Sequence, residues 1–157
     1  RDRAALRVFP GNHDIGIERY LRDGEICERE GEVIDGVGYL HGHMYPSAAL
    51  AGHLMVIGHH HPLLSLRDQV GCALQSPAYL RAEADPGALG MGTGRGKPAR
   101  VLFMPAFNEL AGYDILQIVK TPTSPISRNI SAEDAEIILA DGTYIGPLRS
   151  VMYDESD

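Results

Sequence analysis

Six of the seven histidines in this 157-residue chain stand in three short clusters, Asn12-His13-Asp14, His41-Gly42-His43 and His59-His60-His61. The seventh, His53, lies between the second and third clusters, and no histidine occurs in the 96 residues after His61. Imidazole is the commonest metal-binding side chain and titrates near neutral pH. Its confinement to one third of the sequence points to a metal centre rather than to scattered packing roles.

The elements that must position these residues can be read from strand and turn signals. Leu6-Arg7-Val8-Phe9 ends in Pro10-Gly11 and predicts a strand over 6–9 that feeds the first cluster. Glu32-Val33-Ile34, the turn Asp35-Gly36 and Val37-Gly38-Tyr39-Leu40 predict a hairpin, because Asp-Gly favours the type I′ turn. Ser47 is placed to cap a short helix through Leu50. Leu54-Met55-Val56-Ile57 and Val101-Leu102-Phe103-Met104 are continuous apolar runs, as in strands buried on both faces. The Gly- and Pro-rich stretch 77–100 predicts a loop, with the capacity to cover a site as a lid. Ile137-Ile138-Leu139, Asp141-Gly142 and Thr143-Tyr144-Ile145 predict a second hairpin, and Ser131 with Asp134 forms a capping-type pair. The acidic tail 154–157 is expected to fray.

On this reading each cluster follows an apolar strand. Along an extended chain His59 and His61 share one side and His60 points away; His41 and His43 likewise share a side. Strand ends in α/β sheets converge on one ligand-binding crevice. His53 is expected to be a satisfied structural histidine, and His43 to make either a substrate or second-layer contact or a plain hydrogen bond. Asn108, Glu109 and Asp114 are expected at the surface.

Composition narrows the function classes. A hydrophobic content of 44% and a charged content of 22% suit one globular domain, 1–157. The net charge of −7 argues against an extended nucleic-acid surface, though not against a phosphate ester held through metal ions. Cys27 and Cys72 form no C-x-x-C pair, so a zinc–thiolate site is not expected, and two isolated thiols fit a reducing, cytoplasmic setting. No apolar run approaches the roughly 20 residues of a membrane span. Gly94-Arg95-Gly96-Lys97 is not a phosphate-binding P-loop: Met91 stands where the first Gly belongs and Pro98 where Ser or Thr belongs.

Taken in order, Gly11-Asn12-His13-Asp14, His41-Gly42 and Gly58-His59-His60-His61 resemble the G-N-H-[DE], H-G and G-H-x-H series of the calcineurin-like metallophosphoesterases. Pro105-Ala106-Phe107-Asn108 resembles more loosely a small archaeal and bacterial branch of them. The resemblance implies an α/β fold, a β-sandwich flanked by helices, and hydrolysis of phosphodiester or phosphomonoester bonds at two divalent ions. These would be Mn first, with Zn, Fe or Ni in reserve, and the substrate a small phosphate ester, with a nucleotide possible. It also implies roles. Asn12, His41 and His59 would hold the second ion and His61 the first; His13 would protonate the leaving group and Asp14 would orient His13. The family's D-x-H and G-D motifs, which supply most first-ion ligands and the bridging carboxylate, do not occur in these 157 residues. The chain is therefore expected to be the C-terminal part of such a domain and to bind metal poorly alone. The alternative is a non-catalytic binding or regulatory module that keeps a partial site.

Overall fold

In a computed structural model, residues 4–67, 73–92, 97–108 and 110–152 are described. They form a mixed sheet of nine strands with two short helices. Three adjacent strands of this sheet run parallel. β2 (Val37–Leu40) pairs with β3 (Leu54–Ile57), and β3 pairs with β6 (Ala99–Phe103). Leu40, Ile57 and Phe103 stand side by side in this register, so the residues that follow each strand emerge together at one edge. β1 (Glu32–Ile34) closes the flank as an antiparallel hairpin with β2. Its two turn residues, Asp35 and Gly36, are both left-handed (φ 49° and 82°), which is the type I′ geometry that the Asp-Gly pair predicts. The His53 imidazole reaches back to the Gly36 carbonyl at 2.9 Å, in the structural role expected of it.

β4 (Pro62–Arg67) begins directly after His61 and pairs antiparallel with the first part of β5 (Ala73–Ala84). The second part of β5 pairs with β6 on residues 80–84 and with β8 (Glu136–Leu139) on residues 78–81. β8 and β9 (Tyr144–Pro147) make the second predicted hairpin. β7 (Tyr113–Asp114) adds to β4 in parallel and runs into α1 (Ile115–Lys120), whose first turn is capped by the Asp114 carboxylate accepting from Leu116 N–H at 2.7 Å. α2 (Leu148–Met152) follows β9. The core gathers Met55, Ile57, Leu80, Val101, Phe103 and Ile137, each at most 1% exposed. None of the described helices is long and apolar enough to cross a membrane.

Four expectations are corrected. Residues 6–9 make no strand; Val8 forms a single parallel bridge to Ile26, flanked by Val8 N–H to Glu25 and Cys27 N–H to Val8. β3 is not buried on both faces, since Met55 and Ile57 are buried while Leu54 and Val56 are half-buried. Residues 77–84 are strand rather than loop: Ala78, Leu80, Ala82 and Ala84 bury alternate side chains, and Pro77 sits where β5 leaves β4 for β8, a point where a missing N–H is tolerated. Of the remaining stretch, the described residues 85–92 and 97–100 do not lie over the histidines. Residues 85–92 are wound turns that bury Leu89 and Met91, and Lys97 to Arg100 lead into the start of β6, beside the start of β3 and opposite the ends that carry His41 and His59. Ser47 does cap a short 3₁₀ turn over Ala48–Leu50. The tail 154–157, Glu109 and Cys72 lie outside the described residues.

Candidate metal centre

At the shared carboxyl edge of β2, β3 and β6 the backbone itself binds two of the histidine clusters together. The His41 carbonyl accepts from both Gly58 N–H at 3.0 Å and His59 N–H at 2.9 Å. The first cluster arrives through a tight turn, in which Asp14 N–H bonds the Gly11 carbonyl and the Asp14 carboxylate accepts from Gly11 N–H at 2.7 Å. Gly11 is there because of what touches it. A Cβ at this position would meet the His41 ring at 2.8–3.0 Å, closer than real Cβ contacts come, so only glycine lets the first turn lie flat against the His41 imidazole.

The result is a convergence of donors. His41 Nε2 lies 3.1 Å from Asn12 Oδ1 and 3.1 Å from His59 Nδ1. A single ring nitrogen carries one proton or one lone pair, so it serves two such neighbours poorly. Three lone pairs meeting at a cation are a better use of the same geometry. Two donors bonded at right angles to one ion at about 2.1 Å stand about 3 Å apart, which matches both separations. Among the described residues, no group of three or more His, Cys, Asp or Glu side chains is arranged to hold an ion; the third donor in this set is an amide.

Burial sets the protonation state. Desolvation pushes the His41 imidazole down to about 4, helped by His59 and His43 and opposed by Asp14. His59 and His43 are lowered too, each first by burial. These imidazoles are therefore neutral at pH 7, with the lone pair that ligation requires.

His60 and His61 depart from the extended-strand picture. β3 has ended at Ile57, and His61 is left-handed at φ 46°, so the alternation of sides does not apply. His60 turns inward rather than away: it is 4% exposed, packs edge-on against Phe103 at 5.0 Å between ring centroids, and lies 4.9 Å from the His59 ring. Neither of its ring nitrogens has a hydrogen-bond partner among the described residues, nor has His43 Nδ1. Burial, then His59, His41 and His61, brings His60 down to about 3. The His43 ring stands 5.1 Å from His41.

Asn12, His13, His41, His59, His60 and His61 line one pocket of about 680 Å³. The Asp14 carboxylate, expected to orient His13, accepts through one oxygen from the Gly11 N–H. The structure also adds residues that the histidine motifs do not reveal: Leu110, Tyr113, Gln117, Ile118, Thr121 and Thr123 form the pocket's other wall. No motif in the sequence marks this wall; it is tied to the third cluster by the Tyr113 N–H, which bonds the His61 carbonyl at 3.0 Å. Asn108 and Asp114 serve locally, accepting from Leu110 N–H and Leu116 N–H. No protein-family model, curated protein or solved structure matches this chain.

Proposed function

We propose that the histidine pocket belongs to a metal-dependent phosphoesterase, hydrolysing phosphodiester or phosphomonoester bonds at a dinuclear centre. One observation carries this reading: Asn12 Oδ1 and His59 Nδ1 each stand 3.1 Å from His41 Nε2. The resemblance in motif order adds to it, and so does the placement of His41 and His59 just beyond the ends of the adjacent parallel strands β2 and β3, the usual site of ligand binding. Asn12, His41 and His59 would hold the second ion and His61 the first, with Mn preferred over Zn, Fe or Ni. The ions, when bound, supply charge neutralisation at phosphorus and an activated water. His13 is exposed on the rim of the pocket, free to give a proton to the leaving oxygen. Asn12 contributes a donor without adding negative charge that would repel a phosphate. With this reading go the family's two packed mixed sheets flanked by helices, in which the nine-stranded sheet would carry the histidine loops, and a cytoplasmic setting.

A second reading, a non-catalytic binding or regulatory module with a partial site, has its own observation. The Asp14 carboxylate accepts from the Gly11 N–H, and none of the described residues lining the pocket is an Asp or Glu that could bridge two ions.

The test is metal titration of chelator-stripped protein by calorimetry, with hydrolysis of 4-nitrophenyl phosphate and its bis-ester measured alongside. His41→Ala and His59→Ala should each weaken Mn²⁺ binding at least about tenfold, the scale of a lost ligand or its support. Mn²⁺ should restore hydrolysis after chelation. Mn²⁺ binding without hydrolysis selects the second reading, and unchanged affinity in both variants overturns the metal centre altogether.

A further inference from the structure

The far wall of the histidine pocket is built differently from the near one, and it is not loosely placed. Tyr113 is parallel-paired with Pro62, the residue after His61, and its N–H bonds the His61 carbonyl at 3.0 Å. A Cβ at Gly112 would meet Leu63 Cβ at 3.1 Å, so the 112–114 segment lies tightly against the strand that leaves the histidines. The Asp114 cap then fixes the start of α1, which brings Gln117 and Ile118 to the same cavity. Thr121 and Thr123 complete the wall.

The chemistry of this wall selects an occupant. Tyr113 is an aromatic residue that is 58% exposed although it borders a cavity. Leu110 and Ile118 are apolar; Gln117, Thr121 and Thr123 offer an amide and two hydroxyls. None of the described residues lining the pocket is Asp, Glu, Lys or Arg. A second phosphate or a polyanionic sugar would find no countercharge on this wall, and a bare alkyl group would leave its hydrogen-bonding groups without partners. A flat ring with a polar edge uses both, by stacking on the aromatic face and bonding at its rim. The volume of about 680 Å³ lies within the range of small-molecule sites.

We propose that this wall is the subsite for a heteroaromatic group, a nucleobase or similar ring, attached to the phosphate that the histidine end receives. The proposal rests on the phosphoesterase reading for the phosphate end, and its test uses binding so that the two can fail separately. Affinities of adenosine 5′-monophosphate, ribose 5-phosphate and inorganic phosphate are measured by ligand-observed NMR titration of the protein with and without Mn²⁺. The nucleotide should bind at least about tenfold more tightly than ribose 5-phosphate, a gap within the range reported for stacking one base on an aromatic side chain. Tyr113→Ala should remove that preference while leaving inorganic phosphate affinity unchanged, and Tyr113→Phe should restore it. Saturation transfer should be strongest at the base protons. Equal affinity for the nucleotide and ribose 5-phosphate, or a preference untouched by Tyr113→Ala, overturns the subsite even where metal-dependent hydrolysis is found. A Tyr113-dependent preference that persists in a protein without Mn²⁺ binding or hydrolysis keeps the subsite and removes the phosphoesterase reading.

Discussion

His13 and His60 show how differently one side-chain type is used within a single pocket. His13 is exposed on the rim, where a proton can be exchanged with water after each transfer. On the proposed mechanism His13→Ala lowers turnover by about 10²–10⁴-fold, the usual scale of general-acid catalysis, and leaves Mn²⁺ content intact; loss of the metal in that variant would identify His13 as a ligand instead. His60 is buried, with its pKa brought from 6.5 to about 3. Folding therefore demands its neutral form, while the unfolded chain takes up a proton below pH 6.5. The stability from this residue is complete above pH 6.5 and is lost as pH falls toward the folded value. Between pH 7 and 5 the loss should reach about 2 kcal/mol, before most carboxylates titrate. Thermal melts should show a falling Tm over that window and a flatter profile for His60→Phe; identical profiles would mean that the buried imidazole is already compensated. Gly11→Ala tests contact rather than charge. Its Cβ would displace the His41 ring, so Mn²⁺ affinity should fall by about 10–100-fold, as when a ligand loses its support. Affinity equal to that of the wild type would show that the ring position is immaterial.

Strands were legible in the sequence where local pattern and tertiary environment agree. The runs at 37–40 and 54–57 and the Asp35-Gly36 turn carry their own instructions, and β1, β2 and β3 follow them. Leu6–Phe9 has the same apolar look, but only Val8 finds a bridge partner, because a strand needs a ladder and not just a composition. β5 is the reverse case. Its Gly- and Pro-rich surroundings read as loop, yet residues 78–84 alternate small or apolar with bulky or polar side chains (Ala-Tyr-Leu-Arg-Ala-Glu-Ala), a period-two signal that Pro77 masked. At the site, the grouping of Asn12, His41 and His59 could be anticipated from order and strand-end position. The inward turn of His60 could not, since β3 ends at Ile57 and residues 59–60 form a turn in which strand alternation no longer applies. Nor could the Tyr113 wall, which is placed by a two-residue parallel pairing with β4 and has no periodicity of its own. Asp114→Ala should cost about 1 kcal/mol through the lost cap, measured by denaturant unfolding. It should also weaken nucleotide binding more than phosphate binding, since α1 carries Gln117 and Ile118. An unchanged midpoint would show the cap to be idle.

Across the whole molecule, β5 is the element on which both pocket walls depend. Its first part holds β4, and through β4 the Tyr113 wall; its second part holds β6, and through β6 the strands that end at the histidines. Leu80, fully buried between Phe103 on one neighbouring strand and Ile137 on the other, should be among the costliest core truncations. Leu80→Ala is expected to lose about 2–5 kcal/mol, with one cooperative transition by calorimetry; two separable transitions would show that the halves fold apart. One continuous strand between two walls also leaves no joint between them. A hinge would have to shear β5 out of its ladders, so the cleft is not expected to open and shut as a clamshell does. Ligand exchange rates should then track diffusion and fit rather than a closing motion.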